Sequence, residues 1–258
     1  MTENHDRTED LVCYACQDGL ARITLARPNR ANAVDLPTAH ALGAAVDRAA
    51  NDPAVRAVLI CGEGRRFCAG GDVAAMAAAA DRSGYLEELA DTLGQALQRL
   101  AALPTPVVAA VQGSVAGAGL ALMLSCDVIV SAASTKFLMA YAGVGLTPDC
   151  GTSYLLPRAI GQVRALEMAL TGRTLTAAEA HQWGLVTEVV DDEVLQERAL
   201  ELGQRLASGP AYALGQAKRL LRARHMTREQ MGREEARVIG EAVGREEAIA
   251  LLASFTGR

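Results

Sequence analysis

The chain has 258 residues, half of them hydrophobic and 21% charged, and its excess of acids gives a formal net charge of −5. This composition excludes an intrinsically disordered chain, which needs low hydrophobicity and high net charge, and the acidic balance argues against a nucleic-acid partner, whose phosphates demand a basic excess. Aromatic residues are only 3% of the total, so the core has to be built from small and branched aliphatics in one large unit with an appendage.

In chain order, residues 1–10 read as a polar tail. Leu11 to Gln17 and Ala21 to Ala26 then flank Asp18-Gly19, a hairpin signal. Asp35-Leu36-Pro37 opens a helix that runs to about Ala50, because proline is tolerated in a first helical turn. Val55 to Cys61 is a short buried strand. From Leu86 the apolar positions 86, 89, 93, 97 and 100 recur at helical spacing, with Glu87, Asp91, Gln95 and Arg99 on the other face. Pro104 and Pro106 stop that helix, and Val107 to Val111 is strand-like. A glycine loop, a short helix to Ser125 and a strand from Asp127 to Ser131 follow. Residues 152–183 read as helical pieces, Leu185 to Val190 as a last strand, and 192–255 as helices. The expected division is a tail at 1–10, a core with the site at 11–195, and a helical region at 196–258.

Between Arg99 and Asp127 lie 27 residues without a charged side chain, long enough for a membrane helix. Pro104, Pro106, Gln112, Gly113, Ser114, Gly117 and Gly119 divide the run, so a buried strand followed by a buried helix is the better reading and no membrane partner is expected. Six cysteines are scattered, and Cys13 and Cys16 form a lone C-x-x-C on a strand, where positions three apart face opposite ways. Scattered thiols suit a reducing compartment. The mixed charges of residues 1–10 fit neither a secretory signal nor a transit peptide, which makes the cytoplasm the expected location.

Two segments have the composition of anion-binding loops: Phe67-Cys68-Ala69-Gly70-Gly71-Asp72 and Gly113-Ser114-Val115-Ala116-Gly117-Ala118-Gly119. Neither completes a Walker A loop or a dinucleotide G-x-G-x-x-G. Glycine and alanine let the backbone approach a ligand, and a helix starting just after such a loop directs free amide hydrogens outward. Two such loops flanking a cleft supply a pair of donors for one oxygen.

Arg27-Pro28-Asn29-Arg30-Ala31-Asn32-Ala33, Gly64-Arg65-Arg66-Phe67-Cys68-Ala69-Gly70-Gly71-Asp72, and Val111-Gln112-Gly113 through Gly117-Ala118-Gly119 to Cys126-Asp127 follow one another in an order and spacing that resemble the crotonase (enoyl-CoA hydratase/isomerase) superfamily. Each motif alone is weak, and the set is specific. The resemblance spans about residues 11–250. It implies an α/β fold, a spiral of ββα units with a C-terminal helical region that builds trimers or pairs of trimers. It further implies acyl-CoA thioester ligands, and an oxyanion hole formed by the amides of Ala69 and Ala118, with Gly70 and Gly117 beside them.

The acid and base groups choose the reaction. The family's hydratases use two glutamates, which by spacing would fall at Ala121 and Tyr141, so both carboxylates are missing. Leu146-Thr147-Pro148-Asp149-Cys150-Gly151-Thr152 supplies one acid instead; on local grounds Pro-Asp-x-Gly is simply a good turn. With Tyr154-Leu155-Leu156-Pro157-Arg158 and Gln182-Trp183-Gly184-Leu185-Val186 it resembles the phenylacetate-pathway ring isomerases and similar enoyl-CoA isomerases, where the aspartate at the place of Asp149 is the general acid/base. The resulting expectation is an isomerase in which Asp149 shuttles a proton. A one-acid hydratase, an aryl-CoA dehalogenase with Asp149 as nucleophile, and a non-catalytic acyl-CoA-binding subunit are the alternatives.

For coenzyme A, which enters as part of the substrate, the cations at the expected entrance are Arg27, Arg30, Arg65 and Arg66, and the family implies backbone contacts at Ala31 and Ala33. Asp72 ends the first loop and is suited to ordering it. Met76, Met139, Tyr141 and Val73 to Ala80 are candidates to line the acyl pocket. Many members carry Phe-x-x-Lys near the end; here the stretch is Leu251-Leu252-Ala253-Ser254, with Phe255 and Arg258 nearby. The histidines at 5, 40, 181 and 225 are dispersed, so neither a metal nor a redox cofactor is expected.

Overall fold

The computed structural model describes residues 11–223 and 226–256; the expected tail at 1–10 lies outside them. β1 (Val12–Gln17) and β2 (Leu20–Leu25) pair antiparallel. Their connection, Asp18-Gly19, holds both residues at positive φ, 50° and 79°, the mirror-image turn whose twist matches a hairpin. α1 (Leu36–Asn51) starts where Asp35 accepts a hydrogen bond from the Thr38 amide, with Pro37 in the first turn.

β3 (Ala57–Gly62), α2 (Val73–Ala78), α3 (Arg82–Ala102), β4 (Val107–Val111), β5 (Ser114–Ala116), α4 (Ala118–Ser125), β6 (Val128–Ala132) and β7 (Lys136–Leu138) follow. α5 (Thr152–Ile160), α6 (Gln162–Thr171), β8 (Leu175–Thr176), α7 (Ala177–Gln182) and β9 (Glu188–Val190) complete the core. The C-terminal part consists of α8 (Leu195–Ala207), α9 (Ala211–Arg222), α10 (Arg228–Val243) and α11 (Glu246–Thr256). α3 begins before Leu86 because Asp81 accepts a hydrogen bond from the Gly84 amide and so caps it.

One sheet has the order β1-β2-β3-β4-β6-β9, parallel beyond the first pair, and a smaller one has β5-β7-β8. Isolated pairings Val34 with Gly71 and Cys68 with Val115 continue the smaller sheet backward along the chain. Each excursion thus leaves one strand in the large sheet and a short extended piece in the small one, which is the spiral expected. Both faces of the large sheet are buried, as parallel strands require. Ile23, Val58, Ile60, Val107, Ala109 and Val111 pack on one face with Leu42 and Val46 of α1 and Leu97 of α3. On the other, Leu59, Val108, Ala110 and Val130 meet Leu195, Ala199, Leu202 and Ala207 of α8. α8, at the start of the expected C-terminal helical region, covers the sheet's second face.

The uncharged 27-residue run becomes β4, β5 and α4, and among the described residues no helix is long and apolar enough to cross a membrane. α4 is gripped at its C-terminal end by α9. Arg222 donates to the carbonyls of Ser125 and Cys126 and pairs with Asp127 at 2.6 Å, while Lys218 reaches the same carboxylate at 2.8 Å. Cations belong at a helix C-terminus, and here they anchor the helix whose other end faces the site.

Candidate active site

The segment Cys68–Asp72 runs between two neighbours. On one side the Cys68 amide donates to Ser114 and the Ala116 amide to Cys68. On the other, Val34 donates to the Gly70 carbonyl at 2.8 Å and accepts from the Asp72 amide at 2.9 Å. Ala69 also faces that second side, and its amide donates to the Ala31 carbonyl at 3.1 Å. The expectation that Ala69 supplies an oxyanion donor is thereby corrected, since its only hydrogen is already engaged. In a trans peptide the carbonyl and the next amide point opposite ways; the Gly70 carbonyl points to Val34, so the Gly71 amide points toward the second glycine loop. It has no acceptor within the described chain.

The second loop supplies the matching amide. Gly117, at φ 50° and ψ −120°, turns the chain from β5 into α4 in a conformation that is essentially glycine's own. Ala118 is the first residue of α4, and its N–H finds no acceptor in the described chain, as first-turn amides do not. The two loops touch: a Cβ built on Gly70 would lie 3.7 Å from the Ala118 nitrogen. At Gly119 a Cβ would come within 2.3 Å of the Cys68 carbonyl oxygen, so this approach is closed to any larger residue. Gly71 and Ala118 thus offer two free amides beside one another.

Both open into a cavity of about 270 Å³, with Asp149 on its rim. Asp149, Cys150, Gly151 and Thr152 form a turn in which the Thr152 amide donates to the Asp149 carbonyl at 2.9 Å, with Cys150 and Gly151 at φ 49° and 81°. Tyr141 donates its hydroxyl hydrogen to Asp149 Oδ1 at 2.7 Å and stands 3.3 Å from the Thr152 hydroxyl. Burial, joined by the Asp149 charge, pushes the Tyr141 phenol well above its ordinary range. The same two causes, together with a hydrogen bond to the Asp149 carboxylate, raise the Cys150 thiol. The other wall is aliphatic apart from Glu87: Val73 and Met76 of α2, and Leu86, Leu89, Ala90 and Leu93 of α3.

A family model described as enoyl-CoA hydratase/isomerase matches residues 15–249. The chain belongs to the enoyl-CoA hydratase/isomerase family. Among its relatives, 1,2-epoxyphenylacetyl-CoA isomerase of Escherichia coli K12 is 37% identical over 263 residues, covering 96% of this chain and 99% of that one. The 4-chlorobenzoyl coenzyme A dehalogenase-2 of an Arthrobacter species is 32% identical over 244 residues, covering 93% and 88%. Of solved structures, PA4980 of Pseudomonas aeruginosa superposes with TM-score 0.82 at 40% identity, covering 92% of this chain and 99% of that one. An enoyl-CoA hydratase from Polaromonas sp. JS666 gives 0.90 at 30%, covering 95% and 96%. As a member of this family, the chain is an acyl-CoA enzyme of the crotonase type.

In this member of the family, several expected substrate contacts have other work. Arg27 pairs with Asp35 at 2.9 Å and with Asp72 at 3.0 Å and donates to the Ala33 carbonyl, leaving its side chain 14% exposed. It is a clamp on the first loop and not a free cation at the entrance, because two carboxylates and a carbonyl consume its fork. Asp72 accepts from the Ala75 amide at the start of α2. Burial pushes the Asp72 carboxyl up, but that hydrogen bond and the Arg27 guanidinium hold it below its ordinary range.

Ala121 is fully buried in α4 and its carbonyl accepts from Ser125, so it packs the core and does not line the cavity. Ala31 and Ala33 lie on a turn with Ala31 and Asn32 at positive φ, stapled by Asn32 to the carbonyls of Glu63 and Arg66. Their carbonyls already accept from Ala69 and Arg27. Gly70, Gly117 and Tyr141 do line the cavity, as do Val73 and Met76, whereas Met139 is buried away from it. Arg30, Arg65 and Arg66 are exposed, as is Phe255; Arg258 lies outside the described residues. Gly71, Thr152 and the cavity-facing side of α3, Glu87 included, were not expected. The apolar spacing 86, 89, 93 signalled the α3 wall, though it reads equally as core.

Proposed function

We propose that this enzyme is an acyl-CoA isomerase that shifts a double bond by proton transfer. Asp149 removes a proton from C2 of a 3-enoyl thioester; the electron pair moves through the conjugated system, and the negative charge collects on the thioester oxygen, where the Gly71 and Ala118 amides accept it as hydrogen-bond donors. Asp149 then returns the proton at C4, giving the 2-enoyl thioester. Preorganised donors at a developing oxyanion are worth about 2.7 to 4 kcal/mol each, and they carry no titration of their own.

One observation carries this reading. Asp149, the carboxylate of the cavity that Tyr141 holds at one oxygen, shares that cavity with two unengaged amides, while the other carboxylate, Glu87, is exposed. The positions where the family's hydratases are expected to hold glutamates are Ala121, fully buried, and Tyr141, a hydrogen-bond donor. One base suffices to move a proton along a chain, whereas adding water is easier with two acid/base groups. One of the enzyme's relatives, 37% identical, is named an isomerase.

A hydratase reading draws on Glu87, an exposed carboxylate on the α3 wall of the same cavity. For the dehalogenase, whose aryl-enzyme ester needs a second group to activate water, the described histidines, His40 and His181, lie outside the cavity, and Glu87 is again the second group within it. A panel of 2-enoyl-CoA and 3-enoyl-CoA esters followed by mass and ultraviolet absorbance separates isomerase from hydratase, and halide release from a halogenated aryl-CoA reports the dehalogenase. Isomerisation leaves the mass unchanged and creates or removes the conjugated enoyl thioester. A gain of one water with 2-enoyl-CoA as the only product would overturn the proposal in favour of the hydratase.

A further inference from the structure

We propose that Tyr141, as the middle of a chain that starts at Thr152, is the positioning residue that makes one oxygen of Asp149 both remove and return the substrate proton. This deepens the isomerase reading and rests on it. Tyr141 is 9% exposed, and its ring lies against the second glycine loop: a Cβ on Gly117 would stand 3.8 Å from the Tyr141 Cζ. Its hydroxyl sits between two partners, Asp149 Oδ1 at 2.7 Å and Thr152 Oγ1 at 3.3 Å.

A phenol has one hydrogen, and an ionised carboxylate can only accept. That hydrogen therefore belongs to Asp149, and Thr152 is the donor to the phenol oxygen. The chain runs in one direction, Thr152 to Tyr141 to Asp149. Thr152 is completely buried, so no solvent competes for its hydroxyl, and serial hydrogen bonds of this kind reinforce one another. Burial and the Asp149 charge both keep the phenol protonated, hence always a donor. The two ends of the chain cannot drift apart, because the 149–152 turn joins their backbones directly.

The consequence for chemistry is orientational. With Oδ1 held by Tyr141 and the Cys150 thiol as the carboxylate's other hydrogen-bonding neighbour, the carboxylate cannot rotate freely, and Oδ2 is assigned to carry the proton between C2 and C4. The proton taken from the substrate is the one given back. Tyr141 thus occupies a hydratase's glutamate position with a different task, fixing a base where a hydratase would add one.

Tyr141→Phe tests this, since it keeps the ring against Gly117 and removes only the hydroxyl. With 3-enoyl-CoA deuterated at C2, kcat is expected to fall about 10- to 100-fold, the scale of a misplaced catalytic group. KM should stay within about twofold, because the substrate's own contacts are untouched, and the fraction of label passed to C4 should drop as protons exchange with solvent. A merely structural tyrosine would leave that fraction unchanged. Thr152→Val should give the same pattern at a smaller size, about two- to fivefold in kcat, since it removes only the reinforcement; it decides the matter should Tyr141→Phe fail to fold. Wild-type kcat and wild-type label transfer in a folded Tyr141→Phe would overturn the proposal.

Hydrogen exchange at C2 of a saturated acyl-CoA in heavy water separates this inference from the reading beneath it. Wild-type exchange without isomerisation defeats the isomerase, while a fall of exchange in Tyr141→Phe still supports the positioning role. An enzyme that does neither defeats both.

Discussion

Across the cavity, the loops Phe67–Asp72 and Gly113–Gly119 present amide hydrogens, whereas the stretch from Tyr141 to Thr152 presents side chains. The first wall is fixed by backbone pairing to Val34 and by the start of α4, with glycines where bulk cannot fit. The second is fixed by one turn and a chain of hydroxyls ending on a carboxylate. A thioester oxygen asks the same thing of the first wall in any reaction that puts charge on it. On the proposed reading, the proton or nucleophile chemistry is decided by the second. Relatives named as isomerase, hydratase and dehalogenase within one family are what such a division would produce.

The division breaks if the walls cannot be altered separately. Asp149→Asn, which changes only the side-chain wall, is expected to cost 3-enoyl-CoA turnover about 10²- to 10⁴-fold, the usual worth of general acid/base catalysis. Binding of a saturated acyl-CoA, measured by calorimetry, should hardly change. Gly117→Ala strikes the backbone wall: the residue must leave φ 50°, ψ −120°, turning the Ala118 amide with it. Losing that donor should lower kcat about 10²- to 10³-fold, on every substrate the enzyme takes. An alanine variant that loses one reaction and keeps another would refute a shared oxyanion wall.

Smaller effects sharpen the account of what holds the first wall. Arg27→Ala leaves Asp35 and Asp72 facing each other without their common cation and should cost about 3 kcal/mol, as breaking a buried pair does, read as a drop in urea midpoint. Asp72 has a depressed folded-state pKa, so its stabilising contribution is complete above the ordinary aspartate range, near about pH 4, and fades as the pH falls through the folded-state value. Wild type and Asp72→Asn should therefore differ in melting temperature at neutral pH and converge in acid. A difference that grows on acidification would contradict the clamp.

Much of the scaffold could be read from residues alone, because its signals are local. Asp18-Gly19 at positive φ, the Asp35 cap and the two glycine loops each lie within a few neighbouring residues. The failures come where a distant partner decides. Whether Ala69 or Gly71 has the free amide depends on Val34 and Ala31, more than thirty residues earlier, which take alternate groups of the segment. Arg27 looks like any loop cation until the fold brings Asp72 to it. α8 has the same amphipathic spacing whether it covers a sheet or lies outside, and only Leu59 and Val108 opposite it settle the matter. Tyr141 stood out as a missing glutamate, but its bond to Asp149 needs the left-handed turn at Cys150 and Gly151, which an eight-residue spacing does not announce.

The most direct test of the central claim follows the conjugated enoyl thioester as it forms from a 3-enoyl-CoA, in wild type and Asp149→Asn side by side. The account predicts conversion by wild type with no change of mass and a rate at least about 10²-fold lower in the variant. Equal rates in the two, or a hydrated product alone, would contradict it.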